Sequence, residues 1–364
     1  MLIDVIAGAR PNFIKIAPII KAIKLKKLKG ENIQFRLVHT GQHYDEKMSY
    51  SFFEQLNIPK PDVNLGVGSG SQAEQTSAIM IGYENLLQKK KPHICLVVGD
   101  VNSTMACTIV AKKQGVKVAH VEAGLRSYDM RMPEEINRLV TDTLTDWYFT
   151  TSKVASENLI KSGVDDEKIF FVGNTMIDTL FENLERLKSP SFWETSVLKK
   201  GKYLLLTLHR PSNVDVQTDL NNILNEVSKA ARDLKVIFPA HPRTAGMLKH
   251  FDTLPGNLII VDPQPYLEFI FLVKNSLAVV TDSGGITEET TVLGIPCMTL
   301  RDSTERPETI DIGTNELIGT NLKLIKPYFD RLFKGKWKKG GIPEKWDGKA
   351  SKRIVELLPE FGVV

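Results

Sequence analysis

Short apolar runs recur along the chain, and longer amphipathic stretches separate them. Ile3–Ala7, Phe35–His39, Ile94–Val98, Val116–Val121, Trp147–Thr150 and Ile169–Val172 read as one series of buried strands. Tyr203–Thr207, Val236–Pro239, Leu258–Val261, Leu277–Thr281 and Pro296–Leu300 form a second series. Pro18–Lys29, Gln72–Lys89, Glu134–Leu144 and Leu220–Leu234 read as helices between them. Strand–helix alternation predicts parallel sheets covered on both faces. Two series predict an α/β protein of two doubly wound, Rossmann-like domains. The polar, proline-containing stretch Ser189–Lys202 is expected to link them. No internal repeat or low-complexity tract interrupts the pattern.

Bulk properties narrow this picture. A chain of 364 residues exceeds one typical core, which agrees with two domains. A net charge of +4 is too small for the electrostatic footprint of a nucleic-acid binder. No apolar run reaches the roughly 18 residues of a membrane span. The longest, Phe269–Val280, is interrupted by Lys274, Asn275 and Ser276. The opening run "MLIDVIAGAR" carries Asp4 and no basic leader, so it reads as a first strand rather than a signal peptide. Cys95, Cys107 and Cys297 sit in apolar contexts, as expected of core residues in a reduced, cytoplasmic protein. With no CxxC and no Cys/His cluster, no metal site is expected. The run Lys334–Lys339 reads as solvated surface.

Ligands of doubly wound sheets bind outside the carboxyl ends of the strands. With two such domains face to face, the cleft between them is the expected site. "VVGDVNSTMA" places Asp100 just after one strand, and "AHVEAGLRS" places Glu122 at the end of another. Either alone can be a turn acid or a cap. Together, on strands expected to be adjacent, they form a candidate acid/base pair. "GARPNFIKIAP" brings Arg10 and Lys15 beside a helix N-terminus that already favours anions. "RMPEEINRLVTD" opens a helix with Pro133, and first-turn acids there also complement the dipole. Glu134 and Arg138 are four apart and share a face, so a third carboxylate with its own counter-ion is expected. In "TLHRPSN", His209 ends a strand next to Arg210. In "TDSGGITEE", Ser283 is positioned to cap a helix, and Gly284 and Gly285 let backbone N–H groups approach a phosphate. Glu289 lies about one turn further on, where it can accept from ribose hydroxyls. This loop points to a nucleoside diphosphate. It is neither a dinucleotide fingerprint nor a Walker A loop. "RDSTERPE" adds Arg306.

These seven motifs and "HTGQHYDEKM", taken in their order along the chain, resemble the non-hydrolysing UDP-N-acetylglucosamine 2-epimerases over nearly the whole chain. The resemblance implies a GT-B-like fold, with an N-terminal domain at 1–175, a UDP-binding domain at 176–345 and a C-terminal helix within 346–364 returning to the first domain. It implies inversion at C2 of the sugar, by elimination of UDP to 2-acetamidoglucal and re-addition. Acid/base groups are then needed on both faces of C2. Asp100, Glu122 and Glu134 take that work, and clustering is expected to raise their pKa values. Arg10, Lys15, Arg138 and His209 support the diphosphate. Ser283, Gly284, Gly285, Glu289 and Arg306 hold UDP, and Phe269 lies against the uracil. The chemistry needs no cofactor. A cytoplasmic homodimer is expected, without nucleic-acid or membrane partners, serving cell-surface polysaccharide synthesis.

The chain departs from the commonest family pattern. Asn12 stands where a glutamate often follows the proline, and "HRPSN" replaces "HRRE" or "HREE". "GSGSQAEQT" replaces part of the regulatory segment of many bacterial members, although Gln42 and His43 keep another part. "GLRSYDMRMPEEINR" also resembles relatives acting on UDP-2,3-diacetamido-glucuronic acid. A GT-B glycosyltransferase would share the UDP loop but would not need three gathered acids. A hydrolysing epimerase and a non-catalytic sugar-nucleotide sensor are further alternatives.

Overall fold

The apolar runs form two parallel sheets, one from each half of the chain. The structure is a computed structural model and describes residues 1–41, 52–251 and 253–361. It divides into two compact units. Unit 1 comprises Met1–Glu182 and Glu344–Val364, and unit 2 comprises Asn183–Pro343.

Unit 1 holds β1 (Leu2–Ala7), β2 (Gln34–His39), β3 (Val63–Asn64), β4 (Ile94–Val98), β5 (Lys117–Ala123), β6 (Trp147–Thr150) and β7 (Ile169–Phe171). Their order in the sheet is β3-β2-β1-β4-β5-β6-β7. The order reverses between β1 and β4, which is the switch point where such sheets open a crevice. Unit 2 holds β8 (Tyr203–Thr207), β9 (Lys235–Pro239), β10 (Leu258–Val261), β11 (Ala278–Thr281), β12 (Cys297–Thr299) and β13 (Asn315–Leu317). Its order is β10-β9-β8-β11-β12-β13, with the switch between β8 and β11.

Both faces of these sheets are covered. In β8, Leu204 and Leu206 join one buried cluster while Tyr203 and Leu205 join another. Alternate side chains of a strand point to opposite faces, so a run buried on both sides must be apolar throughout. β4 is buried at every position. That is why these strands are legible as unbroken runs.

Two expectations need correction. The first helix spans Arg10–Leu28 and contains Pro18 in its interior. Pro11 occupies the first turn, where its missing N–H costs nothing. Pro18 read as the start because an interior proline forfeits a helix bond. The stretch Ser189–Lys202 lies inside unit 2. It folds because Trp193 packs edge-on against Tyr203 and Phe271, at 5.7 and 5.0 Å between centroids. The units divide at 182/183 and 343/344, against expected boundaries of 175 and 345.

The C-terminal segment is built into unit 1. Asp178 accepts the backbone N–H groups of Ala350 and Ser351, at 3.0 and 2.6 Å, where the helix Ala350–Phe361 begins. Trp346 is buried and donates Nε1–H to the Thr151 carbonyl at 3.0 Å. Phe361 stacks on Trp147 at 4.4 Å. Among the described residues, no helix is long and apolar enough to cross a membrane.

Candidate active site

In unit 1 the candidate residues collect at the switch point. Gly8 follows β1, and a side chain there would collide with Ser103 Oγ, 2.0 Å from an ideal Cβ. Asn12, in the first turn of the next helix, accepts the backbone N–H groups of Gly8 and Ala9 at 3.1 and 3.0 Å. Its amide donates to the Val98 carbonyl at 2.9 Å, joining the loop after β1 to the end of β4. A glutamate carboxylate has no hydrogen for that last bond. The amide thus has a structural use at the position where the family often has an acid.

Lys15 and Glu122 are both buried and form an ion pair. Gly99 lies against both, with Lys15 Nζ 3.1 Å and Glu122 Oε2 3.3 Å from its ideal Cβ. Glu122 has φ +71°, in the left-handed region, at a bulge between β5 and β6. A non-glycine residue held there stores strain, which concentrates at functional sites. Asp100 follows Gly99 and accepts Arg138 Nη1–H at 2.7 Å. Arg138, on the helix Pro133–Leu144, is buried and also pairs with Glu135 at 2.8 Å. Glu135 further accepts the N–H groups of Ser127 and Tyr128. Burial opposes its ionisation, but these donors and Arg138 hold its pKa below the usual value.

This changes two expectations. The counter-ion role given to Arg138 is directed at Asp100 and Glu135, whereas Glu134 is exposed at the helix start. The four-residue spacing placed the arginine on the correct helix but selected the neighbouring acid. The acids also do not stand together as unopposed carboxylates: Lys15 faces Glu122 and Arg138 faces Asp100.

Behind these loops lies a buried charged cluster that the sequence reading missed. His120 Nδ1 lies 2.8 Å from Asp142, and its Nε2 lies 2.9 Å from the Gly99 carbonyl. Arg126 donates to the same aspartate at 2.6 Å. The cluster ties β5 to the turn that carries Asp100. A lone histidine inside an apolar strand gave no usable sign of it.

Unit 2 gathers its candidates at its own switch point. His209 follows β8 and is more than half exposed, while its Nδ1 contacts the buried Asp282 at 2.7 Å. Ser283 stands at the N-cap of the helix Gly284–Leu293, but its side chain makes no capping bond, contrary to expectation. Its backbone N–H instead donates to Thr281 Oγ1 at 2.9 Å. A Cβ at Gly284 would lie 2.9 Å from Arg306 Nη1 and 3.6 Å from Arg301 Nη1. Two guanidinium groups therefore face this helix N-terminus, where N–H groups and the dipole already favour an anion. Arg306 pairs with Glu288, and Arg301 with Glu305 at 2.9 Å. Arg301 Nε and Nη2 are buried and have no hydrogen bond among the described residues. Buried donors of this kind call for a partner. Arg301 lies five residues before Arg306 in the same loop, and the sequence pattern alone does not separate the two.

Gly285 sits in the first turn of the same helix. Glu289 is buried there; burial and the charge of Glu288 push its carboxyl up to about 8, against the pull of a hydrogen bond with Tyr266. Phe269, on the helix Tyr266–Asn275, is partly buried against the core of unit 2. Arg10 lies in the first turn of the Arg10–Leu28 helix. Gln42 and His43 lie outside the described residues.

Residues 26–359 match the family model of UDP-N-acetylglucosamine 2-epimerase. A curated enzyme of that name from Methanocaldococcus jannaschii is 44% identical over 370 residues, covering 98% of this chain and 99% of that protein. The crystal structure of the M. jannaschii enzyme in complex with UDP-GlcNAc and UDP superposes with a TM-score of 0.88 at 41% identity, covering 99% of this chain and 100% of that one. A UDP-2,3-diacetamido-2,3-dideoxy-D-glucuronate 2-epimerase from Pseudomonas aeruginosa is 39% identical over 364 residues, covering 99% of this chain and all of that protein.

Proposed function

Because the chain belongs to the UDP-N-acetylglucosamine 2-epimerase family, we propose that it interconverts UDP-N-acetylglucosamine and UDP-N-acetylmannosamine by inversion at C2. One observation carries the reading beyond the name: two acids at adjacent strand ends, Asp100 and Glu122, each held against a cation at the switch point of unit 1. A base removes the C2 proton, and the C1–O bond breaks with its electron pair going to the β-phosphate. The products are 2-acetamidoglucal and UDP. UDP then re-adds at C1 while a proton reaches C2 from the opposite face. Asp100, Glu122 and Glu134 supply these proton transfers.

Lys15, Arg138, Arg10 and His209 stabilise the diphosphate as charge builds on it. In unit 2, the N–H groups of Gly284 and Gly285 with Arg306 and Arg301 take phosphate oxygens, Glu289 takes ribose hydroxyls, Ser283 lines the loop and Phe269 lies against uracil. The enzyme acts as a cytoplasmic homodimer and supplies N-acetylmannosamine-type sugars for cell-surface polysaccharide.

Incubation with UDP-N-acetylglucosamine in deuterated water, read by NMR, tests this. Deuterium is expected at C2 of both epimers. A substrate that keeps its C2 proton, with no second epimer, overturns the proposal. The 39% identity to the Pseudomonas enzyme favours one second reading, a diacetamido-glucuronate substrate. The same experiment with that UDP-sugar separates the two by relative kcat/KM.

A further inference from the structure

Asp282 has no role in the mechanism above, yet its surroundings single it out. Its side chain is wholly buried at the carboxyl end of β11, beside β8. It accepts the backbone N–H of His209 at 3.1 Å and that of Arg210 at 3.0 Å. It also accepts the Asn213 amide at 3.0 Å. Nδ1 of His209 completes the set at 2.7 Å. Burial opposes its ionisation, but His209 and these donors hold its pKa below the ordinary aspartate value. An ionised carboxylate has no hydrogen to give. The hydrogen in the 2.7 Å contact therefore sits on Nδ1.

That assignment settles the other side of the ring. With Nδ1 always protonated, the neutral imidazole keeps its lone pair on Nε2, and any added proton goes there. The side chain of His209 is 58% exposed while that of Asp282 is not exposed at all, so Nε2, on the ring edge away from Asp282, lies toward solvent. We propose that Asp282 is a positioning residue for His209, holding the imidazole by Nδ1 so that Nε2 alone meets the diphosphate of the substrate. This rests on the reading that His209 faces a UDP-sugar. When the C1–O bond breaks, Nε2–H of the imidazolium donates a hydrogen bond to the oxygen that receives the electron pair. The hydrogen bond relaxes when UDP re-adds, and the proton stays on the ring. Without Asp282 the ring is free to take its other tautomer and to turn.

Nitrogen-15 NMR of the ligand-free protein, labelled at histidine and assigned with His209→Gln, reads the tautomer directly. Wild-type His209 is expected as Nδ1–H in its neutral form. Asp282→Asn keeps the size and one acceptor, but its amide donates to Nδ1, so His209 is expected to become Nε2–H. Its kcat is expected to fall at least about tenfold, because a ring whose Nδ1 accepts from the amide cannot also carry a proton there and meets the departing diphosphate as neutral imidazole rather than imidazolium. Asn213→Ala removes another bond to the same carboxylate. It is expected to keep the Nδ1–H form and most of kcat.

A wild-type His209 in the Nε2–H form overturns the proposal. So does an unchanged tautomer in Asp282→Asn, or an equal loss of kcat in Asn213→Ala with the tautomer intact, which would make Asp282 a loop anchor only. Because the tautomer is read without substrate, the expected spectra in an enzyme that leaves UDP-N-acetylglucosamine untouched would uphold the positioning and sink the functional reading.

Discussion

Replacing Glu289 by glutamine is expected to stabilise the ligand-free protein while weakening its grip on UDP. The carboxyl is buried, and its pKa is pushed from 4.5 up to about 8 by burial and by the charge of Glu288. The folded protein therefore keeps this proton up to about pH 8, while the unfolded chain releases it above 4.5. Between those values the unfolded state binds fewer protons, so stability falls as pH rises. From 4.5 to pH 7 is about 2.5 units, and at about 1.4 kcal/mol per unit the penalty is about 3 kcal/mol. Glutamine copies the protonated acid and cannot ionise in either state, so the penalty disappears. For a unit of this size the gain at pH 7 is roughly 6–12 °C in Tm. The assay is thermal unfolding of both proteins, without ligand, at pH 5, 6, 7 and 8. The gap in Tm should be small at pH 5, widen through pH 7 and level off above pH 8. A gap that does not change with pH, or a variant less stable throughout, would refute the reasoning. Calorimetric titration of UDP supplies the other half: affinity should fall if Glu289 accepts ribose hydroxyls as proposed, because an amide is the weaker acceptor. A group that costs stability in the empty site is the kind retained for binding.

Asp100→Asn, Glu122→Gln and Glu134→Gln are each expected to lower kcat by about 10²-fold or more with little change in UDP affinity; steady-state kinetics decide, and near wild-type kcat removes a residue from the mechanism. Gly284→Val places a side chain against Arg306, and Gly285→Val adds one at the next position of the same first turn. Both should raise the Kd for UDP more than tenfold, or above about 1.4 kcal/mol, and wild-type affinity would leave the Ser-Gly-Gly turn as no more than a helix start. Trp346→Ala removes a buried indole and its bond to Thr151, so a loss of about 3–5 kcal/mol in denaturant titration is expected. Sedimentation of the purified protein should give twice the chain mass, and a monomer at micromolar concentration would remove the dimer.

The inner strands, such as β4, β8 and β11, were legible because they are buried on two faces and must be apolar nearly throughout. The edge strands β3 and β13 escaped notice because they have two and three residues and little burial. The strand-end acids were legible for the same reason as the strands: a carboxylate after an unbroken apolar run stands out. Asp282 follows such a run just as Asp100 does, but the Ser-Gly-Gly turn beside it carries the stronger local signal. Their partners were harder to read. Whether Glu134 or Glu135 turns inward depends on a rotation of one residue along a helix, and both acids suit a first turn. Lys15 pairs with Glu122 across 107 positions of sequence, and no local pattern carries that distance.

The chain passes from unit 1 to unit 2 after Glu182 and returns at Glu344. Unit 2 is thus an insertion in unit 1, and its whole sequence has emerged during synthesis before its host is complete. Asp178, Thr151 and Val172 must wait for Ser351, Trp346 and Arg353 to leave the ribosome. The half that carries the acids is consequently the last to be finished, although it is the first to be translated. A stop codon shortly after residue 343 would spare unit 2 and leave unit 1 without its last helix.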